Sequence, residues 1–316
     1  MGRWLLILSQ NGLKDLRLSF LRECKVPSSL FSCHILENLA ISGCTINAPQ
    51  CFQGLKLLRR LKLTECNLVG ITLEKFISSC PLLESLGLFV FVEYGCLTIR
   101  APHLKQLKLL TSFADLLLET PKLISASIFF SYSYQNFGRE NFGCKRKLLG
   151  TIGRLSNIEE LGLNVGAYLA SGPIPVKLPV TFHHLKKISI ELNDKSEELE
   201  AALCILRNAP ILKTLYLNVP SENIWGEQRI TTSSLFKQLE VVEVISFTDD
   251  VSMLAFAKFI LSTAPHLEKL VIDDDSICNL NDDEAFLMKL ESFPKLSSKA
   301  VILYDCNLGC EFMEEI

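Results

Sequence analysis

The chain has 316 residues, 48% of them hydrophobic, and a formal net charge of −3. That is far too apolar for a disordered chain and ample for a core, and length alone predicts about two domains unless the chain is a repeat array. No apolar run approaches the ~20 residues of a membrane span.

At the N-terminus, WLLIL (4–8) is apolar but is followed at once by SQNG. A secretory signal needs roughly 7–15 apolar residues and a small-residue cleavage site. Met-Gly opens the chain, yet Leu6 stands where a myristoylation signal carries Ser or Thr. The expected location is intracellular, cytoplasmic or nuclear.

From Leu13 onward one phrase recurs: LxxLxL, with Ile or Val sometimes replacing Leu. Its first positions are Leu13, Leu36, Leu58, Leu83, Leu104, Leu123, Ile158, Leu185, Leu212, Leu239, Leu267 and, weakly, Leu296. The spacings are 19–29 residues apart from one of 35. A period of about 20–29 with this core is the leucine-rich repeat signature. The final L-x-L has period two, so both side chains lie on one face of a strand and the x residues on the other. One such strand cannot bury its face alone; stacked copies form a parallel sheet covered by the rest of each repeat.

Four covering segments read as helices: 72–81, 196–210, 250–265 and 282–294. Ser or Asp opens each of the last three, as helix N-caps do. In the third, the predicted apolar face is Met253, Phe256, Phe259 and Ile260, flanked by Leu254 and Leu261. Pro81, Pro102, Pro121, Pro210, Pro265 and Pro294 each stand two residues before a strand leucine. Proline cannot continue a helix and biases its predecessor to extended geometry, so it marks the entry to the strand. The shorter repeats from Leu36 to Leu123 leave room for turns, 3₁₀ pieces or short strands. Helices spread about 10 Å per layer against about 4.8 Å for strands. The expected fold is therefore an α/β leucine-rich repeat solenoid, a horseshoe with a parallel sheet on its concave face and helices and irregular segments on its convex face.

The 35-residue gap holds an insertion at about 129–157, aromatic and Gly/Asn-rich and then basic at Lys145, Arg146 and Lys147. It reads as a surface insertion joining two sub-arrays or as a partner-binding loop. The segment 170–182, with three prolines, reads as a stiff connection. Charge is split: residues 1–150 carry 18 basic and 10 acidic groups, and 151–316 carry 14 and 25. Such asymmetry steers partners rather than setting a fold.

Twelve cysteines are present, none in a CxxC pair. Cys44 and Cys66 follow the motif at one offset, and Cys80 and Cys204 lie in apolar runs, so reduced, buried thiols are expected. No GxSxG, HExxH, GxxxxGK[ST] or GxGxxG motif occurs. His183 and His184 are adjacent, and in a strand would face opposite ways. Asp273, Asp274 and Asp275, following a strand, read as solvated loop ends, and Asp282 or Asp283 as the cap of the next helix. No enzyme, catalytic residue, cofactor or metal is expected. Specificity is assigned to the outward x residues, above all Arg17, Arg60, Lys62, Phe89, Lys108, Lys187, Glu191, Tyr216, Glu243 and Lys269, as a protein-binding concave face.

Three stretches carry a family resemblance. The opening RWLLILSQNGLKDLRLSF (3–20), the block FKQLEVVEVISFTDDVSMLAFAKFILSTAPHLEKLVI (236–272) and FPKLSSKAVIL (293–303) resemble the plant F-box/FBD/LRR-repeat proteins. Leu296 stands where that family more often has a small residue. The resemblance implies a repeat array over 1–235 and an FBD-like region over 236–316 continuous with it. It also implies a protein that holds a target for a ubiquitin ligase. Members begin with an F-box of about 40–50 residues, a small helical module that docks the cullin adaptor; no L-P-D-x-[IL]-L pattern occurs here. The expectation is a target-holding part without direct adaptor docking, whose partner is a protein and neither a membrane nor nucleic acid. Two alternatives stand beside it: a small-molecule-assisted receptor roofed by 129–147, and a free-standing competitor of full-length relatives.

Overall fold

The computed structural model describes residues 2–49, 52–90, 96–111, 115–130, 155, 157–164, 178, 181–192, 196–218, 236–245, 250–273 and 280–305. The chain divides into two compact units, Met1–Ile152 and Gly153–Ile316. The division falls inside the predicted 129–157 insertion. Of that insertion, Phe129 and Phe130 belong to a strand, and most of the rest lies outside the described residues, as do Lys145, Arg146 and Lys147.

The first unit opens with helix α1 (Gly2–Gln10) and strand β1 (Asp15–Lys25). A 3₁₀ turn, Ser28–Ser32, leads to β2 (Asn38–Asn47), β3 (Arg60–Thr64) and β4 (Asn67–Val69). Then follow α2 (Leu73–Ser78), β5 (Ser85–Val90), β6 (Cys96–Arg100), β7 (Gln106–Thr111), β8 (Asp115–Glu119) and β9 (Ser125–Phe130). The main sheet runs β1-β2-β3-β5-β7-β9, every pairing parallel. Behind it, β6 pairs with β8 in a small parallel sheet and α2 packs on β6. The short repeats are thus covered by a 3₁₀ turn, one helix and short strands.

The second unit contains β10 (Glu160–Asn164), β11 (Lys187–Glu191), α3 (Ser196–Arg207) and β12 (Thr214–Asn218). Next come β13 (Val241–Ile245), α4 (Asp250–Thr263), β14 (Lys269–Asp273), α5 (Leu280–Glu291) and β15 (Val301–Asp305). All six strands are parallel in chain order. The longer repeats have room for real helices between strands. α4 buries Met253, Phe256, Ala257, Ile260 and Leu261, the i, i+3, i+4 stripe of a core-facing helix. Phe259, predicted for that stripe, is half-buried at its edge, its ring 5.8 Å from that of Phe236.

One local construction repeats. The first leucine of the motif donates its N–H to the carbonyl three residues back: Leu83 to Cys80, Leu104 to Ala101, Leu212 to Ala209, Leu267 to Ala264. This is a β-turn, and the motif prolines Pro81, Pro102, Pro210 and Pro265 occupy its second position, where a fixed φ near −65° is favoured. The next carbonyl then accepts from two N–H groups of the following repeat, as Glu37 does from Arg59 and Arg60 at 2.7 and 3.0 Å. Each turn locks the register of the next strand. Behind the strands the leucines close the core: Leu58, Leu61 and Leu63 are at most 2% exposed, as are Ile158, Leu161 and Leu163.

Several expectations are corrected. The last repeat does not start at Leu296, which is 57% exposed. Ala300 takes the turn position, its N–H on the Ser297 carbonyl, and Ile302 pairs with Leu270. Helix α5 starts at Leu280, so Asp282 and Asp283 lie within its first turn instead of capping it. Asp273 is buried rather than solvated. His183 and His184 sit exposed in the turn before β11, outside any strand. WLLIL, read only as an apolar run, is helix α1.

Gly43 marks an irregularity. Pairing of β1 with β2 shifts between Ser19 and Cys24, and Gly43 opposite has φ +68°, where a Cβ would stand 2.3 Å from the Phe20 carbonyl oxygen. Only glycine fits there.

Candidate functional site

The outward face of each sheet is the candidate interaction surface, and register places its residues in three rows. In the first unit the rows are Asp15, Asn38, Arg60, Ser85, Gln106, Ser125; then Arg17, Ala40, Lys62, Gly87, Lys108, Ser127; then Ser19, Ser42, Thr64, Phe89, Leu110, Phe129. In the second unit Glu160, Lys187, Thr214, Val241, Lys269 and Val301 form the first row. Tyr216 and Glu243 lie in its second row, and Glu191 and Asp273 in its third.

All ten candidate residues lie in these rows, five per unit. Arg17, Arg60, Lys62 and Lys269 are exposed; Phe89, Lys108, Lys187, Glu191, Tyr216 and Glu243 are half-buried. The structure pairs four of them. The Lys62 ammonium lies over the Phe89 ring and the Lys187 ammonium over the Tyr216 ring, each 4.8 Å from the centroid. Both are diagonal neighbours on adjacent strands, the separation at which long side chains meet. Such cation–π contacts contribute about 0.5–1 kcal/mol at exposed sites and stiffen both anchors.

The two faces differ electrostatically. In the first unit the outward side chains include Arg17, Arg60, Lys62 and Lys108 against Asp15 alone, and Asp15 accepts a hydrogen bond from Asn38. In the second, Lys187 and Lys269 face Glu160, Glu191, Glu243 and the strand-end Asp273. Burial, and then the neighbouring Glu198, raise the Glu191 carboxyl above its ordinary range.

A further row went unread in the sequence. The residue after the first leucine, charged in most repeats, forms an ion-pair ladder along the strand entrances. Lys14 meets Glu37 at 2.8 Å; Arg59 and Lys105 both bind Glu84, Lys105 at 2.9 Å. In the second unit Lys186 meets Glu159 at 2.8 Å and Lys213 meets Glu240 at 2.6 Å. Lys105, then Arg59, hold the Glu84 carboxyl below the usual carboxylate range, and Lys186 does the same for Glu159. Stacking the repeats would have shown the signal: charge of opposite sign at one motif position in neighbouring copies.

The described cysteines form no disulfide; Cys33, Cys44, Cys66, Cys80 and Cys204 are buried, and Cys24 and Cys96 exposed. Cys44 and Cys66 lie 3.8 Å apart in neighbouring repeats, and burial pushes the Cys44 thiol up to about 12, far from the thiolate a nucleophile or metal ligand needs. Among the described residues no three His, Cys, Asp or Glu side chains converge as a metal site. A depression of about 250 Å³ lined by Glu240, His266, Glu268 and Lys299 falls below the roughly 300–1,000 Å³ of ligand pockets. The surface 129–147, expected to roof a pocket, lies outside the described residues beyond Phe130. No helix among the described residues is long and apolar enough to cross a membrane.

Comparison with known proteins gives the following. The family described as "FBD-associated F-box protein At5g56370, LRR repeats" matches residues 1–217, and "At1g61320/AtMIF1, LRR domain" matches 148–293. The chain is 31% identical over 320 residues to the F-box/FBD/LRR-repeat protein At1g13570 of Arabidopsis thaliana, covering 96% of this chain and 75% of that protein. It is 24% identical to the F-box/FBD/LRR-repeat protein At5g56420 of the same plant, covering 96% and 77%. Among solved structures, an internalin from Listeria monocytogenes aligns at 11% identity and a TM-score of 0.36, over 96% of this chain and 94% of that one, a likeness too distant to carry an argument.

Proposed function

Because the chain belongs to the plant F-box/FBD/LRR-repeat family, we propose that it is a non-catalytic binding protein that holds a protein target on the outward face of its repeat sheets. The observation that carries this reading is an open parallel sheet. Parallel sheets are ordinarily covered on both faces. Here the inward leucines are buried, while the outward rows, from Arg17 to Lys108, stay exposed or half-buried with no described element over them. A row-by-row display of charge, aromatic anchors and small gaps is a surface for recognising another protein.

In a ubiquitin ligase such a surface supplies target recognition, the role that we assign to this chain within its family. A photo-cross-linking residue at Gln106, on the outward face, is expected to capture a partner that one at Lys75, on exposed α2, does not. Reversing the charges of Arg60, Lys62 and Lys108 together should abolish that capture. Equal capture from both positions, or capture that survives the reversal, rejects the outward face. A captured partner whose cellular half-life is unchanged when this chain is removed rejects the degradation role.

A further inference from the structure

The middle row of the first unit alternates. Arg17 on β1, Lys62 on β3 and Lys108 on β7 are long cations; Ala40 on β2, Gly87 on β5 and Ser127 on β9, interleaved with them, are small. Strands stand about 4.8 Å apart, so cations recur about every 9.6 Å, and so do the gaps between them. Each inner gap is flanked by two cations: Ala40 by Arg17 and Lys62, Gly87 by Lys62 and Lys108. At Gly87 the nearest atoms a Cβ would meet are Lys62 Cγ and Phe89 Cε2 at 3.4 Å and Lys62 Cβ at 3.8 Å, all on side chains. The gap is therefore bounded by side chains, the Lys62 stem and the Phe89 ring, which the cation–π contact holds beside it and which a ligand carboxylate would displace. Beside it in the third row lie the half-buried Phe89 and Leu110, an apolar border.

We infer that this row binds an acidic segment of the partner, laid across the strands in polyproline II conformation, with a carboxylate at every third residue. The inference rests on the reading that the outward face binds protein, and names the chemistry of what it binds. Polyproline II has three residues per turn and a rise of about 3.1 Å, so every third side chain returns to one face about 9.3 Å along, close to the gap spacing. A β-strand returns a side chain to one face about every 6.6 Å, out of step with the gaps. Each carboxylate enters a gap between two cations, which supply charge-assisted hydrogen bonds. The small residues matter as much as the charges, since a larger side chain at position 40 or 87 would occupy the space.

The test uses the full chain and labelled proline-rich peptides at about 0.15 M salt, read by fluorescence anisotropy. One peptide carries Glu at every third residue; a second of equal composition carries Glu at every second; a third is an alanine-rich helix with Glu seven residues apart. The first should bind on the order of tenfold tighter than either other. Lys62→Glu and Gly87→Val should each weaken it by on the order of tenfold, and Lys56→Glu, an equal charge change on an exposed turn, should not. Gly87→Val adds no charge, and the nearest atoms to its Cβ are on the Lys62 and Phe89 side chains rather than backbone, so it keeps the test valid if charge reversal disturbs folding. Equal affinity for the three peptides overturns the spacing. Loss with Lys62→Glu but none with Gly87→Val overturns the gap. Preference for the helical peptide or for single-stranded nucleic acid, or doubling of mass in sedimentation with no peptide bound, overturns the acidic-segment occupant. If Gln106 still captures a partner while no peptide discriminates, the outward face stands and only this inference falls.

Discussion

Glu191 shows how one outward residue is shaped by its neighbours. It stands in register between Asn164 and Asn218 and near Glu198, and its carboxyl is raised by burial first and by that second acid next. A carboxyl whose folded pKa exceeds its unfolded value favours the fold while protonated. Its contribution is present below the unfolded value of about 4.3 and is lost as pH rises through the folded one. At neutral pH the charged Glu191 therefore weakens the fold. Glu191→Gln should raise the Tm at pH 7.5, with the gain shrinking to nothing near pH 4; a gain that is constant with pH would contradict the assignment. Glu191 falls in the outward row read from the sequence, but its electrostatic setting includes Glu198 of α3, which the linear order does not pair with it. The Lys62–Phe89 and Lys187–Tyr216 pairs teach the same lesson. Each member was legible alone, and the contact needed the register.

At the scale of the element, the motif residues carry stability and the free residues do not. Leu215 on β12 is buried and Thr214 beside it is half-exposed on the other face. Leu215→Ala should cost about 2–5 kcal/mol, from lost burial and an unfilled cavity. Thr214→Ala should stay within about 0.5 kcal/mol. Denaturant midpoints on the two variants check this; similar losses would mean that the face assignment is wrong. The helices over 72–81, 196–210 and 250–265 were readable because their apolar residues repeat at i, i+3 and i+4. Helix α1 was not, because Trp4 to Leu8 are apolar without period and Leu5 packs inward while Trp4 is 71% exposed. The last repeat was misplaced because Pro294 and Leu296 imitate the motif. The turn itself is chosen by which residue can bury, and that is Ala300, after a longer loop.

Over the whole molecule, a net charge of −3 conceals two halves of opposite sign. The outward face of the first unit is basic, and that of the second is mainly acidic. Charge displayed on exposed side chains is screened over about 8–10 Å at physiological salt. Partner affinity through Arg17, Arg60, Lys62 and Lys108 should therefore fall on the order of tenfold between 0.05 and 0.3 M salt, mostly through a slower association rate. Affinity independent of salt would place the binding energy in the apolar border of Phe89 and Leu110 instead.

The sequence by itself determined the repeat fold, its strands, most of its helices and which residues point outward. Period two and period 3.6 are local properties of a chain, and a leucine that must be buried announces its face. Tertiary structure alone decided what those outward residues make together. The alternation of Arg17, Lys62 and Lys108 with Ala40, Gly87 and Ser127 runs perpendicular to the chain, across strands some twenty residues apart. Nothing in the linear order spaces those six side chains. Only the parallel hydrogen-bonded register, set turn by turn, brings them into one row.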